Sequence, residues 1–322
     1  MNIEEVAQII HEVKPTLKPS SIKQYISSLR NLFRKYSPHD PLVKDNNMVC
    51  INFEFLKDTD KILDIIKDNH ITSQRNIITS VLTILNYYKK EIDTINFFNQ
   101  KVKDLNKLQT QNYQNNIVSD NTNFKLKEWT TKDIENCIIK LKLDKQYQTA
   151  LMLSLIYHYL FRNEISSLKL IKKSTYDKLT DEDKLNNNFI VKKYNEIFIS
   201  RGVYKTDKTH GLIKTKIDNK VLRSDILNYI KTMEDDIFFK DSNGIQMSND
   251  LLGKHIGRAT TDFKDPIQKN PQYSLGTSSI NKIVIESLEL DGIEKLLEIS
   301  GNRGTSIGTL LHAYYNNYEK TT

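Results

Sequence analysis

Residues 149–173 read TALMLSLIYHYLFRNEISSLKLIKK, and the fold turns on where that string breaks. The long apolar run predicts a buried helix that ends at Phe161-Arg162-Asn163-Glu164-Ile165, with a second helical turn carrying Leu168 and Leu170. An arginine at a break between two buried helices is costly to hold unless an anion needs it there. The alternative is a helix-capping arginine on the surface.

Upstream, KEWTTKDIENCIIKLKL (127–143) offers Thr130 or Thr131 as a cap ahead of Asp133. Before it, LQTQNYQNNIVSDNTNF (108–124) is polar, rich in Asn and Gln, and without periodicity, which predicts a linker. The chain up to 107 reads as a bundle of four or five helices. In PSSIKQYISSLRNLFRKY (19–36), Ile22, Tyr25, Ile26, Leu29, Leu32 and Phe33 share one face, and Lys23, Arg30, Arg34 and Lys35 the other. FLKDTDKILDIIKDN and TSQRNIITSVLTILNYYKKEID repeat the helical period. Downstream of the break, 187–217 alternates in the manner of strands, and helical pattern returns from Val221. The expected fold is mainly α with a small β-hairpin or sheet, divided into a helical domain over 1–107, a linker over 108–124 and a larger domain over 125–322.

The chain has 322 residues, 38% hydrophobic and 27% charged, with only 10 glycines and 6 prolines. That is a globular composition with long helices. The 47 Lys and Arg against 40 Asp and Glu give +7, a balance that favours a polyanionic partner without requiring one. Two cysteines, Cys50 and Cys137, make neither a disulfide framework nor a zinc site and read as small buried hydrophobes in a reducing compartment. No apolar run is long enough to span a membrane, and the acidic, amphipathic start is unlike a signal peptide, so an intracellular protein is expected. The abundance of Asn, Lys and Ile suits an AT-rich genome, such as that of a large DNA virus or a mobile element.

Arg162, Glu164, Ile165 and Leu168 give the break a family look. The segment resembles the first conserved box of the tyrosine recombinases and phage-type integrases, where a helix runs into a TGLR-x-SEI-x-x-L turn. In that family the arginine holds the scissile phosphate and the glutamate supports it, so the resemblance implies those roles for Arg162 and Glu164. The family also carries a catalytic lysine on a β-hairpin after this box, as general acid toward the leaving 5′ oxygen. In ISRGVYKTDKTHGLIKTKI (199–217) the resemblance points to Lys205, with Lys208 as the fallback. Without it, both read as solvated surface charges.

The end of the chain matches the family in spacing and departs from it in chemistry. In 275–317, LGTSSINKIVIESLELDGIEKLLEISGNRGTSIGTLLHAYYNN, Thr305 stands where the family's G-H-S loop has histidine. Tyr314, nine positions on, stands at the nucleophile, with Tyr315 its rival. Ser278 and Asn281 occupy the H-x-x-R positions, so both histidines and the second arginine are replaced. A literal H-x-x-R, His255 and Arg258 in KHIGRATTDF, would complete the set only with an extra loop of about twenty residues. Those two, with Lys254, read better as DNA contacts on a helix face. Lys282 lies one position and Arg303 two positions from a lost group, and both are further candidate contacts.

The N-terminal stretch 19–36 also resembles the opening helix of the family's core-binding domain, which implies phosphate contacts from Lys23, Arg30, Arg34 and Lys35. The other reading of those four is a solvated face. The whole resemblance implies a protein that binds double-stranded DNA and breaks and rejoins it through a 3′-phosphotyrosyl link, without metal, nucleotide or other cofactor. It leaves a homo-oligomer on DNA open. The substitutions leave a second reading, a DNA-binding architectural protein whose catalysis has decayed. A helical adaptor without nucleic-acid function is the third.

Overall fold

A computed structural model describes residues 1–89, 91–114, 119–288 and 293–314; the side chains of Val43, Tyr113, Gln114, 293–296 and 311–314 fall outside the description. Two compact units emerge, Met1–Ile117 and Val118–Thr322. The chain is mainly helical with one small sheet.

The first unit holds helices α1 (Ile3–Val13), α2 (Pro19–Tyr36), α3 (Thr59–Ile66), α4 (Ile71–Tyr88) and α5 (Ile92–Gln114). Its core draws Val6 and Ile10 from α1, Leu29 from α2, Ile62 and Ile66 from α3 and Ile78, Val81 and Ile84 from α4. Within the stretch 108–124, residues 108–114 continue α5, and Ser119 caps α6 (Asp120–Glu128) by accepting from the Thr122 N–H. Asn and Gln lower helix propensity only slightly, and no Gly or Pro interrupts either end.

In the second unit, α7 (Thr131–Leu143) starts in a capping box in which Thr130 and Asp133 each accept from the other's backbone N–H. Next comes α8 (Tyr147–Tyr159), buried all round from Ala150 to Ile156, as its unbroken apolar run requires. It stops because Leu160 takes the left-handed conformation, φ 54°, which costs a non-glycine residue about 1 kcal/mol or more. A 3₁₀ turn, Asn163–Ser167, follows.

The chain then enters a four-stranded sheet of order β1-β2-β3-β4: β1 (Leu168–Lys172), β2 (Asn188–Lys193), β3 (Glu196–Arg201) and β4 (Ile213–Lys216). The hairpin expected over 187–217 is present as β2, β3 and β4, paired antiparallel. The helical reading as far as Leu170 does not hold: 168–172 is a strand parallel to β2. Leu168 and Leu170 fit either period over so short a run, and a partner twenty residues away decides. Short helices α9 (Lys173–Tyr176) and α10 (Asp181–Leu185) make the crossover that a parallel pair needs. After β3 come α11 (Asp207–His210) and, beyond β4, α12 (Lys220–Ile230), α13 (Asn249–Lys264), α14 (Thr277–Glu286), α15 (Ile293–Arg303) and α16 (Ile307–Tyr314).

Both cysteines are buried and unbridged, and burial pushes each thiol up to about 12. The Tyr159 hydroxyl donates to Asp218 Oδ1 at 2.7 Å and accepts the N–H groups of Asp218 and Asn219 at 3.0 and 3.3 Å. Burial, with Asp218 alongside, raises its pKa to about 12, so the folded state holds that proton longer than the unfolded chain does. The stability it contributes is complete below pH 10 and disappears as pH climbs to 12. Tyr157 is raised to about 12 in the same sense. Tyr159→Phe should therefore shed part of the alkaline loss, read as a shallower fall of denaturation midpoint between pH 10 and 12; an unchanged slope would put the shift elsewhere.

Candidate functional site

Three segments far apart in sequence meet where α8 breaks. Leu160 packs in one buried cluster with Ile285 of α14, Ile299 of α15 and Leu310 of α16. That cluster sets α16 against the residue two places before Arg162. Tyr314 closes α16 one helical turn beyond Leu310; its side chain falls outside the described residues, as do Tyr315 and Tyr318 entirely.

The hairpin turn is tied to the same place. Asn188, buried at the start of β2, donates through Nδ2 to the carbonyls of Glu164 (3.3 Å) and Val203 (2.8 Å) and to Ser167 Oγ (2.8 Å), while its Oδ1 accepts the Val203 N–H (3.0 Å). One amide thereby joins the 3₁₀ turn after Arg162 to the turn that exposes Lys205. From the other side, Thr206 Oγ1 donates to the Gly304 carbonyl. Gly304 has φ +59°, and a Cβ there would lie 2.6 Å from the Tyr204 ring, so only glycine allows this approach.

The charges at the junction are arranged unevenly. Arg201, at the end of β3, is wholly buried. Its Nη1 pairs with Glu164 Oε1 at 3.3 Å, its Nη2 donates to the Asn302 carbonyl, and its guanidinium lies 4.5 Å from the Phe161 ring centre and 5.4 Å from that of Tyr204. Burial lowers the Arg201 pKa and the Arg162 charge adds to this, while Glu164 and Tyr204 oppose it. Arg162 is half-buried; its Nη1 is shielded from solvent and has no hydrogen-bond partner among the described residues. Glu164, expected beside Arg162, thus gives its carboxylate to Arg201. The sequence carried one signal for Arg201: strand alternation puts it on the face of Ile197 and Ile199, both buried.

The residues at the substituted positions fall differently. Asn281 is fully buried and its Nδ2 donates to the Leu160 carbonyl at 3.3 Å. That bond ties it to the end of α8. Thr305 is buried, its N–H donating to the Ser300 carbonyl at 3.1 Å and its own carbonyl accepting from Ser300 Oγ. Ser278 is exposed in the first turn of α14.

His255 and Arg258 line a groove of about 350 Å³ with Lys145–Thr149, at the N-terminal end of α8. Arg162 follows the other end of this 13-residue helix, roughly 20 Å away, so the pair does not complete a set around Arg162. Lys208 and Lys254 are exposed. Lys282 is half-buried, and desolvation lowers its pKa against the pull of Glu286. Arg303 is only 1% exposed and closes α15 inside the unit.

In the first unit, Lys23 and Lys35 are exposed on α2. Arg30 Nη1 donates to the Asn46 carbonyl at 2.7 Å and Arg34 Nη2 reaches Asn46 Oδ1 at 3.4 Å. Arg34 and Lys35 also border a groove of about 560 Å³ lined by Gln24, Ser27, Asn31 and Asn69.

Among the described residues no helix is long and apolar enough to cross a membrane, and no group of three or more His, Cys, Asp or Glu could hold a metal ion. No family model matches the chain, and no curated protein matches it. Among solved structures the chain is similar to the crystal structure of XerA recombinase, at 14% identity and a TM-score of 0.39, over 98% of this chain and 94% of that one.

Proposed function

We propose that this protein binds duplex DNA with a backbone phosphate held at Arg162, and breaks and rejoins one strand there with Tyr314 as nucleophile and Lys205 as general acid. The observation that carries the reading is the junction at the end of α8, where the Arg162 turn, the Lys205 turn and the segment leading into α16 are tied to one another, beside an arginine whose Nη1 finds no hydrogen-bond partner among the described residues. In the step itself, the Tyr314 oxygen attacks phosphorus and its proton passes to water. The bond to the 5′ oxygen breaks, and that oxygen takes a proton from Lys205. A 3′-phosphotyrosyl ester remains, and attack by a 5′ hydroxyl reverses the sequence.

Turnover is slow on this reading. No second arginine is assigned, and losing one charged donor to the phosphoryl oxygens costs ~10²–10³ in rate. The commitment of Asn281 to the Leu160 carbonyl favours a second reading, in which DNA is bound and not cut.

A duplex nicked beside the cleavage position tests both, since loss of the short 5′ fragment traps any covalent complex. Protein bound to DNA through denaturing gel analysis, and lost in Tyr314→Phe, is the expected result. Salt-sensitive binding without adduct in either protein would support the second reading. No duplex binding even at low salt would overturn both.

A further inference from the structure

We propose that Arg201 is a positioning residue that spares Arg162: by occupying the Glu164 carboxylate it keeps the neighbouring guanidinium unpaired and open to a phosphate. The inference rests on the reading of Arg162 as the phosphate-holding residue.

Glu164 lies two residues beyond Arg162 on one tight 3₁₀ turn and is almost fully buried. A carboxylate in that setting takes the nearest cation. Two are at hand, Arg162 and Arg201, close enough that the charge of one depresses the pKa of the other. Glu164 forms its ion pair with Arg201 alone, and among the described residues the Arg162 side chain makes neither hydrogen bond nor ion pair. The choice is fixed by Arg201's seating: Phe161 and Tyr204 hold its guanidinium, and the Asn302 carbonyl takes Nη2, which leaves Nη1 facing the carboxylate. Remove the Arg201 charge and Glu164 is left with Arg162. The pair that then forms would occupy the guanidinium that a phosphate needs.

The salt dependence of binding to a mixed-sequence DNA duplex reads this without interference from stability. The slope of log K against log salt counts phosphate contacts, ~0.9 for each. Loss of folded protein lowers K and leaves the slope alone. Arg162→Ala should flatten the slope by about one contact's worth. Arg201→Met should flatten it as much, the Arg162→Ala/Arg201→Met double no further, and adding Glu164→Gln to Arg201→Met should restore it. Arg201→Gln, which keeps hydrogen-bonding capacity and loses the charge, serves where the methionine variant does not fold.

A parental slope in Arg201→Met or Arg201→Gln, alongside a flattened one in Arg162→Ala, would overturn the inference and leave the function standing. Failure of Glu164→Gln to restore the slope would do the same. If Arg162→Ala itself kept the parental slope, the phosphate reading beneath would fall first.

Discussion

Glu164→Ala should destabilise the second unit by about 3–5 kcal/mol, the range seen when one partner of a buried ion pair is removed. Arg201 has no water to fall back on, being wholly buried. Its remaining partners would be the Asn302 carbonyl and the faces of Phe161 and Tyr204. An aromatic face offsets a desolvated cation by about 2 kcal/mol, less than the ion pair supplies, and the Arg162 charge works against it. The Glu164→Gln/Arg201→Met pair removes both charges and should cost much less, because neither ion is then stranded.

Trp129 makes the measurement direct. It is the chain's one tryptophan and is buried in the second unit's core, so its emission during urea unfolding follows that unit. A lower midpoint at unchanged slope is the expected signature. A Glu164→Ala protein within 1 kcal/mol of the parent, on the order of an exposed pair, would show that Arg201 does not depend on Glu164.

What the sequence disclosed and what it withheld divide along one physical line. The break at Arg162 was legible because a long apolar run ending in a charge is a local signal. So was the hairpin over 187–217, where alternation and turn residues lie within one stretch. Strand β1 was not, since five residues of mixed period are assigned by their pairing with 188–192. Glu164's partner was not legible either. Arg201 stands far off in sequence, and an arginine ending a strand usually reaches water through its long stem. Asn281's hydrogen bond was hidden for the same reason. Its position matched a motif, and its role was set by a left-handed Leu160 that no spacing rule reports.

Gly202→Ala should be nearly as damaging as the loss of Glu164, at about 3 kcal/mol or more, because the added methyl group meets only main chain. Its Cβ would lie 2.2 Å from the Lys184 carbonyl oxygen and 2.4 and 2.5 Å from the oxygen and carbon of Leu185. No side chain can swing aside to relieve that. Either the end of α10 retreats or the 202–206 turn does. The turn is held by the Gly202 N–H on the Asn187 carbonyl at 3.1 Å, by Asn188 on Val203, and by Thr206 on Gly304. Relief on that side therefore breaks the ties that fix the turn bearing Lys205. Gly244→Ala is the control: it has φ +77° with nothing within 4 Å of a Cβ, so it should cost only the left-handed backbone term, about 1–2 kcal/mol. The two variants, unfolded side by side and followed through Trp129, should rank with Gly202→Ala the weaker protein. The reverse order would mean that β3 slides past α10 at little cost. The turn bearing Lys205 would then not be held in register with Arg162 at all.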